Sequence, residues 1–151
     1  MAYLLDANVF ISAKNLHYGL DFCPAFWDWL VVGNEVQAQD DDLSVWAAGR
    51  GPGFFLPIDA AVLPAFAVVS SWATSQRYDP AAVSTFLQVA DYYLVAHAYS
   101  AKHTVVTHEV PSGSARRIKI PDACIGLGIK CINPFEMLRA ERARFVLGPE
   151  R

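Results

Sequence analysis

Three carboxylates of this 151-residue chain stand where acid–base or metal chemistry could be done: Asp6, Asp91 and Glu109. Asp6 closes the apolar run Tyr3-Leu4-Leu5, and a helix-compatible stretch begins almost at once. Ligands of parallel α/β sheets collect at the carboxyl ends of strands, so this is a position for chemistry. Its alternative is a turn or cap, which Asn8 could also supply. Glu109 repeats the arrangement: it follows the strand-like Thr104-Val105-Val106-Thr107, with His108 between and a hydroxyl two residues before it. Asp91 falls on one stripe with Leu87, Leu94, Val95 and Ala98 if a single helix carries them all. A carboxylate on a core-facing stripe needs a partner. The competing reading makes Asp91 the N-cap of a helix through Lys102, and both stay open.

Brought together, these groups would repel: two unit charges about 4 Å apart cost roughly 4 kcal/mol at an effective dielectric near 20. Protonation or a divalent cation must relieve this. An all-oxygen set suits Mg²⁺ or Mn²⁺ rather than zinc. Such ions serve phosphoryl chemistry by activating water and by neutralising transition-state charge. Other carboxylates read more plainly. Glu35 alone would be surface, Asp122 after Pro121 can cap its helix, and Asp40-Asp41-Asp42 reads as a solvated helix N-terminus.

The elements that must position these groups follow from patterning. Three β-prone runs, Tyr3 to Leu5, Thr104 to Thr107 and Lys130 to Ile132, are separated by long helix-compatible stretches, the alternation of an α/β fold with a parallel sheet. Helices are expected over Val9–Lys14, Phe26–Val32, Asn34–Gln39, Leu43–Ala48, Ala60–Thr74, Pro80–Phe86, Asp91–Lys102, Asp122–Leu127 and Pro134–Arg144. The clearest start is Asn133-Pro134-Phe135-Glu136, where Asn caps, Pro takes the first helical position and Glu returns a hydrogen bond. Gly49 to Pro57 and Val110 to Ala115 are loops by glycine, proline and serine content.

Composition bounds the rest. The length suits one domain over residues 1–151. With 54% hydrophobic and 18% charged residues, the chain is too apolar for a disordered segment. Cys23, Cys124 and Cys131 show no CxxC spacing, so neither a disulfide framework nor a zinc ribbon is expected. The start lacks a signal-peptide pattern, and the apolar run Ala60 to Val69 is too short to span a bilayer. A soluble cytoplasmic protein is the expectation. A formal charge of −3 supplies no global basic field, so a polyanion would need a local patch or metal ions.

The set LLDANVF, NEV, ADYYLVAHA and TVVTHE resembles the PIN-domain superfamily of metal-dependent nucleases. More narrowly, FCPAFWDWL, FFLP, VVTHEVP, KIPDAC and CINPFEML look like a bacterial PIN-like branch related to VapC-type toxins. The resemblance implies a three-layer α/β/α sandwich with a central parallel sheet. It implies Mg²⁺ or Mn²⁺ held by Asp6, Glu35, Asp91 and Glu109, with Asp122 near the site as a further ligand. Asn8 and Thr107 match small polar positions that support the ligands. The implied reaction is in-line attack of metal-activated water on an RNA phosphodiester, leaving a 5′-phosphate and a 3′-hydroxyl. A cognate antitoxin and a homodimer are the implied partners. One departure stands out: Trp29-Leu30-Val31-Val32 runs straight into Gly33-Asn34-Glu35, where the family places a loop and a short strand. Either Leu30 to Val32 is that strand, or a segment is absent at this point.

Substrate contacts would come from Arg116, Arg117 and Lys119 after Glu109, from Lys102 and His103 before its strand, and from His108; ordinary solubilising charge is the alternative for each. Arg139, Arg142 and Arg144 can complement a helix C-terminus, and His97 reads as packing. Trp27 and Trp29 either stack bases or belong to the core. Two other functions compete. A haloacid-dehalogenase-type phosphatase also places an Asp after the first strand but needs a second Asp where Asn8 stands. A catalytically silent PIN-like module would bind RNA or protein through its apolar excess.

Overall fold

Tyr3-Leu4-Leu5, Thr104-Val105-Val106 and Cys131-Ile132 are short, apolar and rich in β-branched residues, the composition of strands buried on both faces. In the computed structural model they are β1 (Tyr3–Leu5), β2 (Thr104–Val106) and β3 (Cys131–Ile132), paired in parallel in the order β1-β2-β3. The structure describes residues 2–18, 23, 26–27, 49 and 57–144. Glu35, the expected helices over residues 34–39 and 43–48, Asp40 to Asp42, Trp29, most of the 49–57 loop and the short connection before Glu35 lie outside the described residues. Leu4 pairs with Val105, which in turn pairs with Cys131; Leu5 pairs with Val106, which pairs with Ile132. The ladder continues one step past the strands, because the Thr107 N–H donates to the Ile132 carbonyl at 3.1 Å.

Side chains alternate along a pleated strand, so each strand divides its residues between two cores. Leu4 and Val105 enter one core, with Cys131 packed against it. There they meet α2 (Leu63–Ser75), α3 (Pro80–Phe86), α4 (Ala90–Ala101) and α5 (Ile120–Leu127) through Val69, Ala73, Phe86, Val95, Ala98 and Ala123. Leu5 and Val106 enter the other, with α1 (Ala7–Ser12) and α6 (Pro134–Ala140) through Val9, Phe10, Met137 and Leu138. Helices therefore cover both faces, and the layering is α/β/α around a parallel sheet. A π-helical turn, Ala13–His17, continues α1.

Local signals account for most helix ends. Asn133 accepts from the Glu136 N–H at 2.9 Å and Glu136 accepts from the Asn133 N–H at 2.8 Å, the reciprocal cap expected before Pro134. α1 starts earlier than Val9 because Asp6 is its N-cap. The stripe through Leu87 is broken: Leu87 belongs to the end of α3, and α4 begins at Ala90 after Val89, so Asp91 is neither a continuation of that stripe nor the cap. It lies in the first turn, where the helix dipole favours a carboxylate. Trp27 is 2% exposed and its indole donates to the Tyr18 carbonyl, which makes it a core residue rather than a base-stacking one. His97 packs beside Phe66, as expected, and Arg139 lies in the last turn of α6. Among the described residues no helix is long and apolar enough to cross a membrane.

Gly126, inside α5, lets the Trp72 indole of α2 lie directly on the helix backbone; a Cβ there would overlap the Trp72 ring. Alanine is the better helix former by about 1 kcal/mol, so propensity alone favours Gly126→Ala. Overpacking costs about 1–3 kcal/mol and opposes it. We expect Gly126→Ala to lower the urea midpoint, and the same change in a Trp72→Leu background to be neutral or stabilising. A single variant more stable than the parent would show that the indole does not rest there.

Candidate functional site

The carboxyl ends of β1 and β2 lie side by side, and the residues just past them are polar. Asp6 follows Leu5 and is 9% exposed; Thr107 follows Val106 and is 2% exposed. The Thr107 hydroxyl donates to Asp6 Oδ2 at 2.7 Å and accepts from the Glu109 N–H at 3.1 Å. Asp6 Oδ1 accepts from the Asn8 N–H at 3.4 Å as the α1 cap. Burial pushes the Asp6 carboxyl above its ordinary value; the bonds from Thr107 and Asn8 oppose the shift, and the charge of Glu109 adds to it. That last contribution means the two carboxylates feel one another across Thr107.

Glu109 is held from the far side. Its Oε2 accepts from the Ile120 N–H at 3.0 Å, at the start of α5, and its Oε1 lies 3.8 Å from the Arg117 guanidinium. The Arg117 side chain is 71% exposed, so this pair is worth at most about 1 kcal/mol. The loop between Glu109 and α5 is fastened by Asp122, which accepts from the Ser112 N–H, the Ser112 hydroxyl and the Lys119 N–H at 2.9–3.2 Å. The helix starts at Ile120, two residues before the expected Asp122, with Lys119 as N-cap; Asp122 stands at the third helical position and accepts from the cap's N–H, so its oxygens are already engaged.

Asp91 stands on the wall of an adjoining groove of about 500 Å³, together with Thr85, Val89, Arg116 and Arg117. Arg117 is common to this groove and to Glu109. So the structure joins Asp6, Thr107 and Glu109 by hydrogen bonds, sets Asp91 one groove away, and uses Asp122 to hold the intervening loop. Lys102 and His103 are not part of this surface. They line a separate hollow of about 660 Å³ near Thr104 and Lys130, at the amino ends of β2 and β3. They stand at the opposite end of the strand from Glu109, because only a strand's length separates position 103 from 107. A basic rim that includes them is therefore corrected to Arg116 and Arg117 alone, with Lys119 half-buried behind.

Two positions after Asp6, one buried polar atom has no hydrogen-bond partner among the described residues: Asn8 Oδ1. An unpaired buried acceptor costs about 1–3 kcal/mol, a cost that any donor or cation bound to it would offset. Among the described residues no three His, Cys, Asp or Glu side chains form a metal cluster. A hard cation here would rest on Asp6, Asn8 Oδ1 and Glu109, a set of oxygen donors that fits Mg²⁺ or Mn²⁺ chemistry.

His108 leaves β2 on the opposite side from Thr107 and Glu109 and meets His17 and Phe135 at ring-centroid distances of 5.9 and 6.0 Å. Burial, and then the charge of His17, hold the His108 imidazole below its usual range. His17 and Phe135 were not singled out by the sequence. The available signal was Phe135 itself, an aromatic side chain in the first turn of a helix that starts one residue after β3, at the same carboxyl edge.

A family model described as a domain of unknown function, DUF4411, matches residues 3–145. No curated protein and no solved structure matches the chain.

The Asp6 carboxyl has a folded-state value above the ordinary 3.8, so its contribution to stability is full below 3.8 and is lost as pH rises through the folded value. Asp6→Asn removes this penalty and keeps an oxygen for Thr107. In urea unfolding without divalent ions, the variant should be more stable than the parent at neutral pH, with the difference shrinking as pH falls toward 3.8. A difference that grows on acidification would contradict the burial of a charged Asp6.

Proposed function

The chain belongs to the DUF4411 family, whose description assigns no activity, and from that premise we propose that it is a Mg²⁺- or Mn²⁺-dependent endoribonuclease of PIN-like character. The observation that carries this reading is the hydrogen-bonded row Asp6–Thr107–Glu109 at the carboxyl edge of a parallel sheet, with Asn8 Oδ1, two positions after Asp6, unpartnered among the described residues. The order of acidic motifs along the chain supports the same reading, with Glu35 as the further ligand that the resemblance names.

Asp6, Asn8 and Glu109 would hold the cation, with Asp91 closing the site from the groove side. The ion would activate water for in-line attack and offset charge on the phosphoryl oxygens. The chain's own residues do the rest. Thr107 fixes the rotamer of Asp6 and the backbone of Glu109 at once, so the two carboxylates hold their spacing without a ligand. Arg116 and Arg117 offer exposed guanidiniums to the flanking phosphates, and Lys119 lies behind them. Arg117 has a particular place, because its weak pairing with Glu109 is readily exchanged for a phosphate once a cation neutralises that carboxylate. No protein nucleophile is needed. The toxin role in a toxin–antitoxin pair, with an antitoxin protein as partner and a homodimeric state, is the extension that the motif resemblance supports.

Asp6→Asn, Asp91→Asn and Glu109→Gln should each lower metal-dependent RNA cleavage by about 10²-fold or more, since each removes a charge placed for the transition state. Products should carry a 5′-phosphate and a 3′-hydroxyl. Independently of turnover, Mn²⁺ should raise the melting temperature of the parent protein and leave that of Asp6→Asn unmoved. Cleavage unchanged by the three substitutions would sink the mechanism; RNA binding with no cleavage in Mn²⁺ would favour a silent binding module.

A further inference from the structure

The residues past the end of β2 divide between the two faces by their contacts. Thr107 and Glu109 turn toward Asp6 and α5, whereas His108, between them, turns to the face covered by α1 and α6. There three rings gather: His17 and Phe135 at 5.5 Å, His17 and His108 at 5.9 Å, and His108 and Phe135 at 6.0 Å. They come from three separate elements, the turn after α1, the end of β2 and the start of α6. Phe135 is 38% exposed, and among the described residues it packs with neither core. The cap that starts α6 uses Asn133, Pro134 and Glu136, so helix formation does not require an aromatic side chain at Phe135.

We propose that His17, His108 and Phe135 form a stacking site for an unpaired base of an RNA strand whose phosphate lies at Asp6 and Glu109. This rests on the nuclease reading of the neighbouring carboxylates. His108 is covalently next to Thr107 and Glu109, so a base on these rings and a phosphate at the carboxylates belong to the same or adjoining nucleotides. On the other side of the carboxylates, Arg116 and Arg117 line the groove that would take the continuing backbone. A strand thus meets rings on one face of the sheet edge and guanidiniums on the other. Every base has a π-face, so such a site tolerates any sequence. A duplex keeps its bases stacked on one another and offers none to the rings.

The test is fluorescence anisotropy with a labelled single-stranded oligouridylate and an RNA duplex of equal length, in EDTA, where cleavage cannot intervene. Phe135→Leu keeps apolar bulk and removes the π-face; Phe135→Trp keeps both. We expect Phe135→Leu and His108→Ala to weaken single-strand binding about ten-fold, Phe135→Trp to retain it, and duplex binding to change by less than about two-fold. Single-strand affinity unchanged in Phe135→Leu, or a loss confined to dimerisation measured by light scattering, would overturn the stacking site. If Phe135→Leu loses binding while the parent cleaves nothing in Mn²⁺, the stacking site stands and the nuclease reading falls. If Phe135→Leu binds normally while Asp6→Asn abolishes cleavage, the nuclease reading stands alone. A parent protein that binds no RNA overturns both.

Discussion

The hydrogen bond from Thr107 to Asp6 ties the carboxyl end of β1 to that of β2 across a separation of 101 residues in sequence. Most of the site hangs on it. Asp6 is at once the end of a strand, the N-cap of α1 and a buried acid, while Thr107 is the next step of the β2–β3 ladder. A charge-assisted bond of this kind contributes about 1.5–3 kcal/mol. Desolvation of the carboxylate acts the other way, and it wins, because the Asp6 carboxyl titrates above its ordinary value despite two donors. The fold therefore carries an acid that its own hydrogen bonds leave undercompensated. A cation bound at such a residue would offset that cost, which would tie the position's cost to the folded protein with its proposed use.

What was legible in the sequence was what local chemistry determines. The three strands came out within a residue of their observed spans because β-branched pairs such as Val105-Val106 sit between polar stops, and the start of α6 came out through its reciprocal Asn133–Glu136 cap, whereas the helix ends at Ala140 and not at the expected Arg144. Asp6 and Glu109 were legible because a carboxylate just past an apolar run is conspicuous. Less was legible where the answer depends on what packs across the fold. The Asp91 stripe assumed one helix through Leu87, but Gln88 and Val89 form a turn, and the break moved Asp91 into a first turn beside Arg116 and Arg117. Lys102 and His103 looked close to Glu109 in sequence, yet a strand in between carries them to the opposite edge of the sheet. His17 belongs to no motif, and Phe135 lies in CINPFEML without a role assigned to its ring. Only three elements converging on the end of β2 bring them together.

The division between the two cores extends to the surroundings of the site. Val105 enters one core and Val106 the other; past the strand, where the chain bends at His108, Thr107 and Glu109 bond to Asp6 and α5 whereas His108 meets His17 and Phe135. Acids and guanidiniums collect on the α5 side and rings on the α1–α6 side without any further device. Asp122 fastens the α5 side: by accepting three bonds from Ser112 and Lys119 it clamps both ends of the loop that returns from Glu109 to α5. The loop's positive charge is thereby presented at a fixed distance from the acids rather than on a free tether.

That arrangement changes what a net charge of −3 says about partners. Long-range potential follows the total, but over a Debye length of about 8 Å a ligand responds to local groups. At this edge the local groups are Asp6 and Glu109, which a divalent ion would neutralise, and Arg116 and Arg117, which it would leave in place. Binding a cation would thus convert a mixed surface into a positive one. The metal-free protein holds the same guanidinium against Glu109, where solvent exposure makes the pairing weak enough to give up. Attraction for a polyanion would then strengthen with the ion rather than depend on it, since the guanidiniums of Arg116 and Arg117 stay exposed in either state. An acidic chain would in this way hold a polyanionic strand through local groups and hold it more tightly with a cation bound.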